Sequence, residues 1–90
     1  MSKVLLCIEF RGGKGHCYVT IPLSGYEIVK FETTECYEYN LAPGTYDLLC
    51  EGVSPAGGTK IIATDADGNE LAKKAISKEG YYSKKLTIHL

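Results

Sequence analysis

The stretch Cys36 to Gly52, CYEYNLAPGTYDLLCEG, decides the fold. Tyr37, Tyr39 and Leu41 alternate with Cys36, Glu38 and Asn40. After Pro43-Gly44, Tyr46, Leu48 and Cys50 alternate with Thr45, Asp47 and Leu49. Period-two alternation of β-formers on both sides of a turn dipeptide reads as strand, corner, strand. Successive side chains of a strand point to opposite faces, so each apolar row is an inward face.

The same alternation runs through the chain on either side. Val4, Leu6, Ile8 and Phe10 point one way, and after Gly12-Gly13-Lys14-Gly15 so do Cys17, Val19 and Ile21. Gly13-Lys14, with Gly first, meets the requirement of a two-residue type II′ turn. It predicts a hairpin pairing Phe10 with Cys17, Ile8 with Val19 and Leu6 with Ile21. Pro22 to Gly25 reads as a loop and Tyr26 to Glu32 as a third strand, with either Val29 and Phe31 or Tyr26 and Ile28 inward. Val53 to Gly58, VSPAGG, is a loop by composition, and Thr59 to Thr64 is a strand.

Residues 69–79 admit two readings. Asp67-Gly68 as a type I′ turn returns Asn69 to Ile76 as an antiparallel strand. Alternatively Asn69 caps a short helix that Gly80 ends, with Leu71/Ala75 and Ala72/Ile76 stacked. The strand is the preferred reading. The last segment is a strand with Tyr82, Leu86, Ile88 and Leu90 inward and Tyr81, Ser83, Lys85, Thr87 and His89 outward. Lys84 breaks the inward row, which suggests that it lies near the strand end.

Seven or eight short strands with frequent turn signals in 90 residues predict an all-β chain: one antiparallel β-sandwich domain over residues 1–90. Leu41-Ala42-Pro43-Gly44-Thr45-Tyr46 resembles the L-x-P-G-x-Y corner of immunoglobulin-like sandwiches. In particular it is similar to transthyretin-like, carboxypeptidase-regulatory-like and PEGA-like modules. The resemblance covers Tyr37 to Gly52 and implies architecture rather than activity. It departs from antibody domains, having no tryptophan and no cysteine two residues after Tyr46. A tyrosine corner at Tyr46 would put its ring in the core and its hydroxyl on nearby backbone.

The formal net charge is −1, and no basic stripe marks a nucleic-acid site. The opening apolar run, Val4 to Ile8, is too short to span a membrane or to form a secretory core. A cytoplasmic chain is expected, with its four cysteines reduced; the alternative is a Cys17–Cys50 bridge between sheets.

No catalytic or cofactor constellation is visible. His16 and Cys17 are adjacent on a strand and point to opposite faces, so they form no dyad. The spacing holds no C-x₂-C or H-x₃-H pair, so no metal is expected. Asp65 to Glu70 reads as a turn rather than a calcium loop, because Glu70 and Ile76 stand where an EF-hand needs Gly and an acid. The expectation is a non-enzymatic interaction or scaffold module that binds a protein partner or its own copy by edge-strand pairing. Tyr18, Tyr81, Lys85 and Thr87 are its candidate contact residues. A carbohydrate-binding sandwich is the alternative, with Tyr18 and Tyr81 as an aromatic platform; the absence of tryptophan counts against it.

Overall fold

The computed structural model describes residues 2–22 and 27–90. The predicted Pro22–Gly25 loop, beyond Pro22, and Tyr26 lie outside them. Eight strands run through the described residues: β1 Ser2–Phe10, β2 Lys14–Ile21, β3 Glu27–Thr33, β4 Glu35–Leu41, β5 Thr45–Ser54, β6 Thr59–Asp65, β7 Glu70–Ile76 and β8 Gly80–His89. They form two four-stranded sheets in the orders β4-β1-β6-β7 and β3-β2-β5-β8. Every neighbouring pair is antiparallel. The fold is all-β, as expected, and among the described residues no helix is long and apolar enough to cross a membrane.

The alternation sorts the faces as read. Val4, Leu6, Ile8 and Phe10 are buried from one sheet, and Cys17, Val19, Ile21, Leu48, Cys50, Leu86 and Ile88 from the other. Full burial of one such aliphatic side chain contributes about 1.5–3 kcal/mol. On β3 the inward residues are Val29 and Phe31, while Ile28 is exposed. Residues 70–76 are a strand, which resolves the ambiguous segment in favour of β. Gly52 sits where β5 passes β2: a Cβ there would overlap the His16 carbonyl. Only glycine lets these two strands approach so closely.

Three expectations are corrected. First, β1 and β2 do not form a hairpin. β1 pairs with β4 and β6, and β2 with β3 and β5, in opposite sheets. The Gly12-Gly13 connection is a corner between sheets, both glycines having positive φ. Thr34, at the β3–β4 corner, clasps it. The Phe10 N–H donates to Thr34 Oγ1 at 2.9 Å, and the Thr34 N–H donates to the Gly13 carbonyl at 3.1 Å. The inward row is the same in either arrangement, so the alternation alone does not choose between them.

Second, the four cysteines are not all free. Cys7 and Cys36 are directly opposed on β1 and β4, Cα atoms 4.1 Å apart, and are joined by a disulfide on the outer face. Cys17 and Cys50 are free and buried. They lie on neighbouring strands of one sheet, not across the sandwich.

Third, the β6–β7 turn is centred one residue earlier than Asp67-Gly68. The Gly68 N–H donates to the Asp65 carbonyl at 3.1 Å, so Ala66-Asp67 are the central pair and Gly68 takes the positive φ that follows. One Asp65 carboxylate oxygen accepts the Asp67 and Asn69 N–H groups, both at 2.9 Å, and the other accepts Asn69 Nδ2. The Asn69 backbone and then its side chain hold the Asp65 pKa below the ordinary Asp value.

Candidate interaction surface

Each sheet has two edges. β7 and β8, the edges of different sheets, lie against each other across the sandwich, which puts them on one open side. β3 and β4 form the other side, where the Tyr37 hydroxyl of β4 donates to Glu27 of β3 at 2.8 Å.

The backbone groups that β8 leaves free follow from its ladder. Gly44 and Leu90 exchange both N–H···O bonds, at 3.0 and 2.8 Å, so they are a hydrogen-bonded pair. Hydrogen-bonded pairs alternate along an antiparallel ladder. Ile88, Leu86, Lys84 and Tyr82 therefore turn their backbone groups to β5. Tyr81, Ser83, Lys85, Thr87 and His89 turn theirs to the free edge.

Of the four edges, β8 is the least guarded. It has ten residues in unbroken register with β5, from Ser54↔Gly80 to Thr45↔His89. β3 and β7, of seven residues each, belong to ladders with a register shift. β4 is tied to β1 by the Cys7–Cys36 bridge and by Lys3–Glu38 at 3.0 Å. Bulges, short length and charge are the ordinary protections of an edge strand. β8 has only its charge, Lys84 and Lys85. Lys84 is not at the strand end. It sits mid-strand opposite buried Cys50, inward by register, yet exposed at the open side of the sandwich.

The outer face of the same sheet is partly apolar. Tyr81 is 93% exposed, Ile28 66% and Tyr18 42%. With Val53 they surround a shallow depression over β2, β5 and β8. Tyr18 and Tyr81 are two strands apart and offset by one residue pair, a Cα separation of roughly 12 Å by strand spacing and rise. Lys30 Nζ lies 5.8 Å from the Tyr18 ring centroid, a cation–π distance.

Thus Tyr81, Lys85 and Thr87 are gathered in one outward row beside free backbone, and Tyr18 lies on the same face but on an interior strand. The Thr87 hydroxyl donates to Asp47 Oδ1 at 2.6 Å, so it braces β8 against β5. Sequence reasoning left the direction of Ile28 open and read Val53 as the start of a loop; Ile28 is instead exposed on β3, and β5 continues through Ser54 with Val53 on its outer face. It also missed a cluster of unpaired lysines along β7 and β8.

His89 is paired with Thr45 Oγ1 at 3.1 Å on the outer face, and Cys17 and Cys50 point into the core, so no His–Cys pair is assembled there. Burial raises the Cys17 thiol pKa and, with Cys17 adding to it, pushes Cys50 up to about 12. Among the described residues no three His, Cys, Asp or Glu side chains converge as a metal site. The Tyr46 hydroxyl donates to the Ala42 carbonyl at 2.7 Å, the backbone bond expected of it, but its ring is half-buried rather than in the core. No protein-family model matches the chain, and no curated protein and no solved structure shows a significant similarity to it.

Proposed function

We propose that the domain is a non-enzymatic interaction module that accepts a strand from another protein chain along the free edge of β8. One observation carries this reading: ten residues in unbroken register, with five consecutive outward pairs of N–H and C=O groups and no proline. Backbone hydrogen bonds would supply affinity and the outward side chains Tyr81 and Lys85 would select the partner, while Thr87 offers its backbone N–H and keeps its hydroxyl on Asp47. A cytoplasmic location belongs to this reading only where Cys7 and Cys36 are kept reduced; as a bridge they suit an oxidising compartment.

Thr87→Pro is the discriminating change. The Thr87 N–H faces the free edge, so proline there removes a recruiting donor and no ladder bond. Thr87→Ala keeps the N–H and controls for the lost Asp47 contact. In light scattering over a concentration series, and in capture experiments with the folded domain, wild type and Thr87→Ala should associate and Thr87→Pro should not. A proline variant that associates like wild type sinks the reading, as does a wild-type chain that captures nothing.

The Tyr18–Tyr81 face supports a second reading, carbohydrate binding on an aromatic platform. Titration with oligosaccharides, followed by ring proton shifts of Tyr18 and Tyr81, separates the two: strand pairing perturbs β8 amides instead.

A further inference from the structure

The two open sides of the sandwich carry opposite charge. Residues 70–90, which hold β7 and β8, contain five lysines and two glutamates. Residues 27–41, which hold β3 and β4, contain four glutamates and one lysine. None of Lys73, Lys74, Lys78, Lys84 and Lys85 forms an ion pair among the described residues, whereas Lys3 and Lys30 both do. Lys74 on β7 faces buried Ile61 and Lys84 on β8 faces buried Cys50, so both are inward by register, and both are exposed at the same open side.

Resting on the strand-addition reading above, we infer that the partner is a second copy of this chain, docked head to tail: the basic β7/β8 side of one copy against the acidic β3/β4 side of the next. Three further observations agree with that geometry. In each sheet the two edge strands run antiparallel to one another, because three antiparallel steps separate them. A copy carried along the sheet direction therefore meets β8 with β3, and β7 with β4, in antiparallel sense.

The backbone phase also matches. Hydrogen-bonded pairs between β5 and β8 are those whose side chains face inward, so Thr20, Tyr18 and His16 of β2 bond to β5, and Cys17, Val19 and Ile21 bond to β3. That leaves Ile28, Lys30 and Glu32 of β3 with their groups at the free edge and their side chains outward, the same phase as Tyr81 to His89. Two such strands join with their outer faces continuous.

The symmetric alternative is disfavoured by charge. The free-edge row Tyr81, Ser83, Lys85, Thr87, His89 is centred on Lys85, so a fully overlapped antiparallel β8–β8 pair puts Lys85 opposite Lys85. Like charges directly opposed destabilise a strand pair. A head-to-tail contact that carries each copy along the sheet direction, with no rotation to close a ring, builds open-ended assemblies.

The test is sedimentation over a concentration series of the oxidised full chain. It compares wild type, Glu32→Lys/Glu35→Lys, Lys84→Glu/Lys85→Glu and an equimolar mixture of the two variants, each checked for an unchanged circular dichroism spectrum. Wild type should grow through dimer and trimer without an end point, and association should weaken at least tenfold at high salt. Each variant alone should associate at least tenfold more weakly. The mixture should recover association, because the lysine side of one variant and the glutamate side of the other are both native. A glutamate variant that dimerises like wild type overturns the head-to-tail arrangement and leaves strand addition at β8 standing. A wild-type monomer that captures a strand of a different protein does the same; a monomer that captures nothing overturns both. Where a charge reversal disturbs the fold, Glu32→Gln/Glu35→Gln and Lys84→Gln/Lys85→Gln replace it. Undiminished association of either neutral pair overturns the arrangement.

Discussion

Reducing the Cys7–Cys36 bridge leaves every side chain in place and removes one constraint on the unfolded chain. The two cysteines are 29 residues apart, and the segment between them contains β2 and β3, both in the opposite sheet. The bridge therefore closes a loop that passes through both layers of the sandwich. Loop-closure entropy for about 30 residues amounts to roughly 12 cal/mol/K, or about 3.6 kcal/mol at 25 °C. A domain of this length has a total stability of roughly 5–13 kcal/mol, so the bridge supplies a large share of it. Urea unfolding of oxidised protein against protein held in a phosphine reductant should move the midpoint down with little change in the folded spectrum. At 4–8 °C per kcal/mol, the melting temperature should fall by roughly 15–30 °C. Alkylation counts the thiols independently: unreduced, denatured protein should take up two equivalents, and reduced, denatured protein four. Equal midpoints with and without reductant, in a sample showing two blocked thiols, would refute the entropic argument. Four reactive thiols in the unreduced sample would remove the bridge itself.

Three other outcomes follow from single groups. Tyr46→Phe removes the bond to the Ala42 carbonyl from a half-exposed site and should cost about 0.5–1.5 kcal/mol in urea unfolding; Tyr46→Ala should cost less than the ~3–5 kcal/mol of a fully buried aromatic, and a neutral Tyr46→Phe would make the hydroxyl irrelevant. Among the described residues the buried Tyr39 hydroxyl has no hydrogen-bond partner, so Tyr39→Phe should be neutral or stabilise by up to ~1 kcal/mol, and a clear loss of stability would reveal an acceptor. The folded Asp65 pKa lies below its unfolded value, so its stabilisation of the β6–β7 turn is present above the unfolded value and lost as pH falls through the folded one; the Asp67 and Asn69 amide shifts should titrate with a midpoint below the ordinary Asp value, and a midpoint at or above it would contradict the carboxylate's role.

What was legible in the chain was orientation, and what was not was neighbourhood. Period two places Leu6, Ile8, Val19 and Leu86 in the core whichever strands they pair with, because burial depends on face alone. The partner of β1 depends on whether a short glycine connection stays within a sheet or crosses between sheets, and Gly12-Gly13 serves either purpose. The crossing connection is clasped by Thr34, 24 residues from Phe10, a contact that no local pattern announces. The bridge was hidden for the same reason. The outward parity of Cys7 and Cys36 was readable, but their opposition follows only once β1 and β4 are neighbours. Residues 70–76 were ambiguous because Leu71, Ala72, Ala75 and Ile76 satisfy helical spacing as well as a short strand does. The turn at Asp65 to Asn69, with its carboxylate holding two backbone N–H groups, decides in favour of the strand.

Lys84 interrupts an otherwise regular inward row, and the reason is best sought at the edge. An inward-directed lysine on an edge strand is a guard against indiscriminate pairing. An apolar strand laid along β8 would crowd the ammonium group without offering it a counter-ion, and desolvating an unpaired charge is costly. The long aliphatic stem lets the charge stay in water at the open side of the sandwich while the chain is alone. A strand bearing carboxylates meets the same ammonium with an ion pair in place of a desolvation cost. Lys74 repeats the device on the strand that faces β8. On the strand-addition reading, the two lysines would discriminate against apolar strands and in favour of acidic ones, a specificity that rests on the difference between the two rather than on affinity for either.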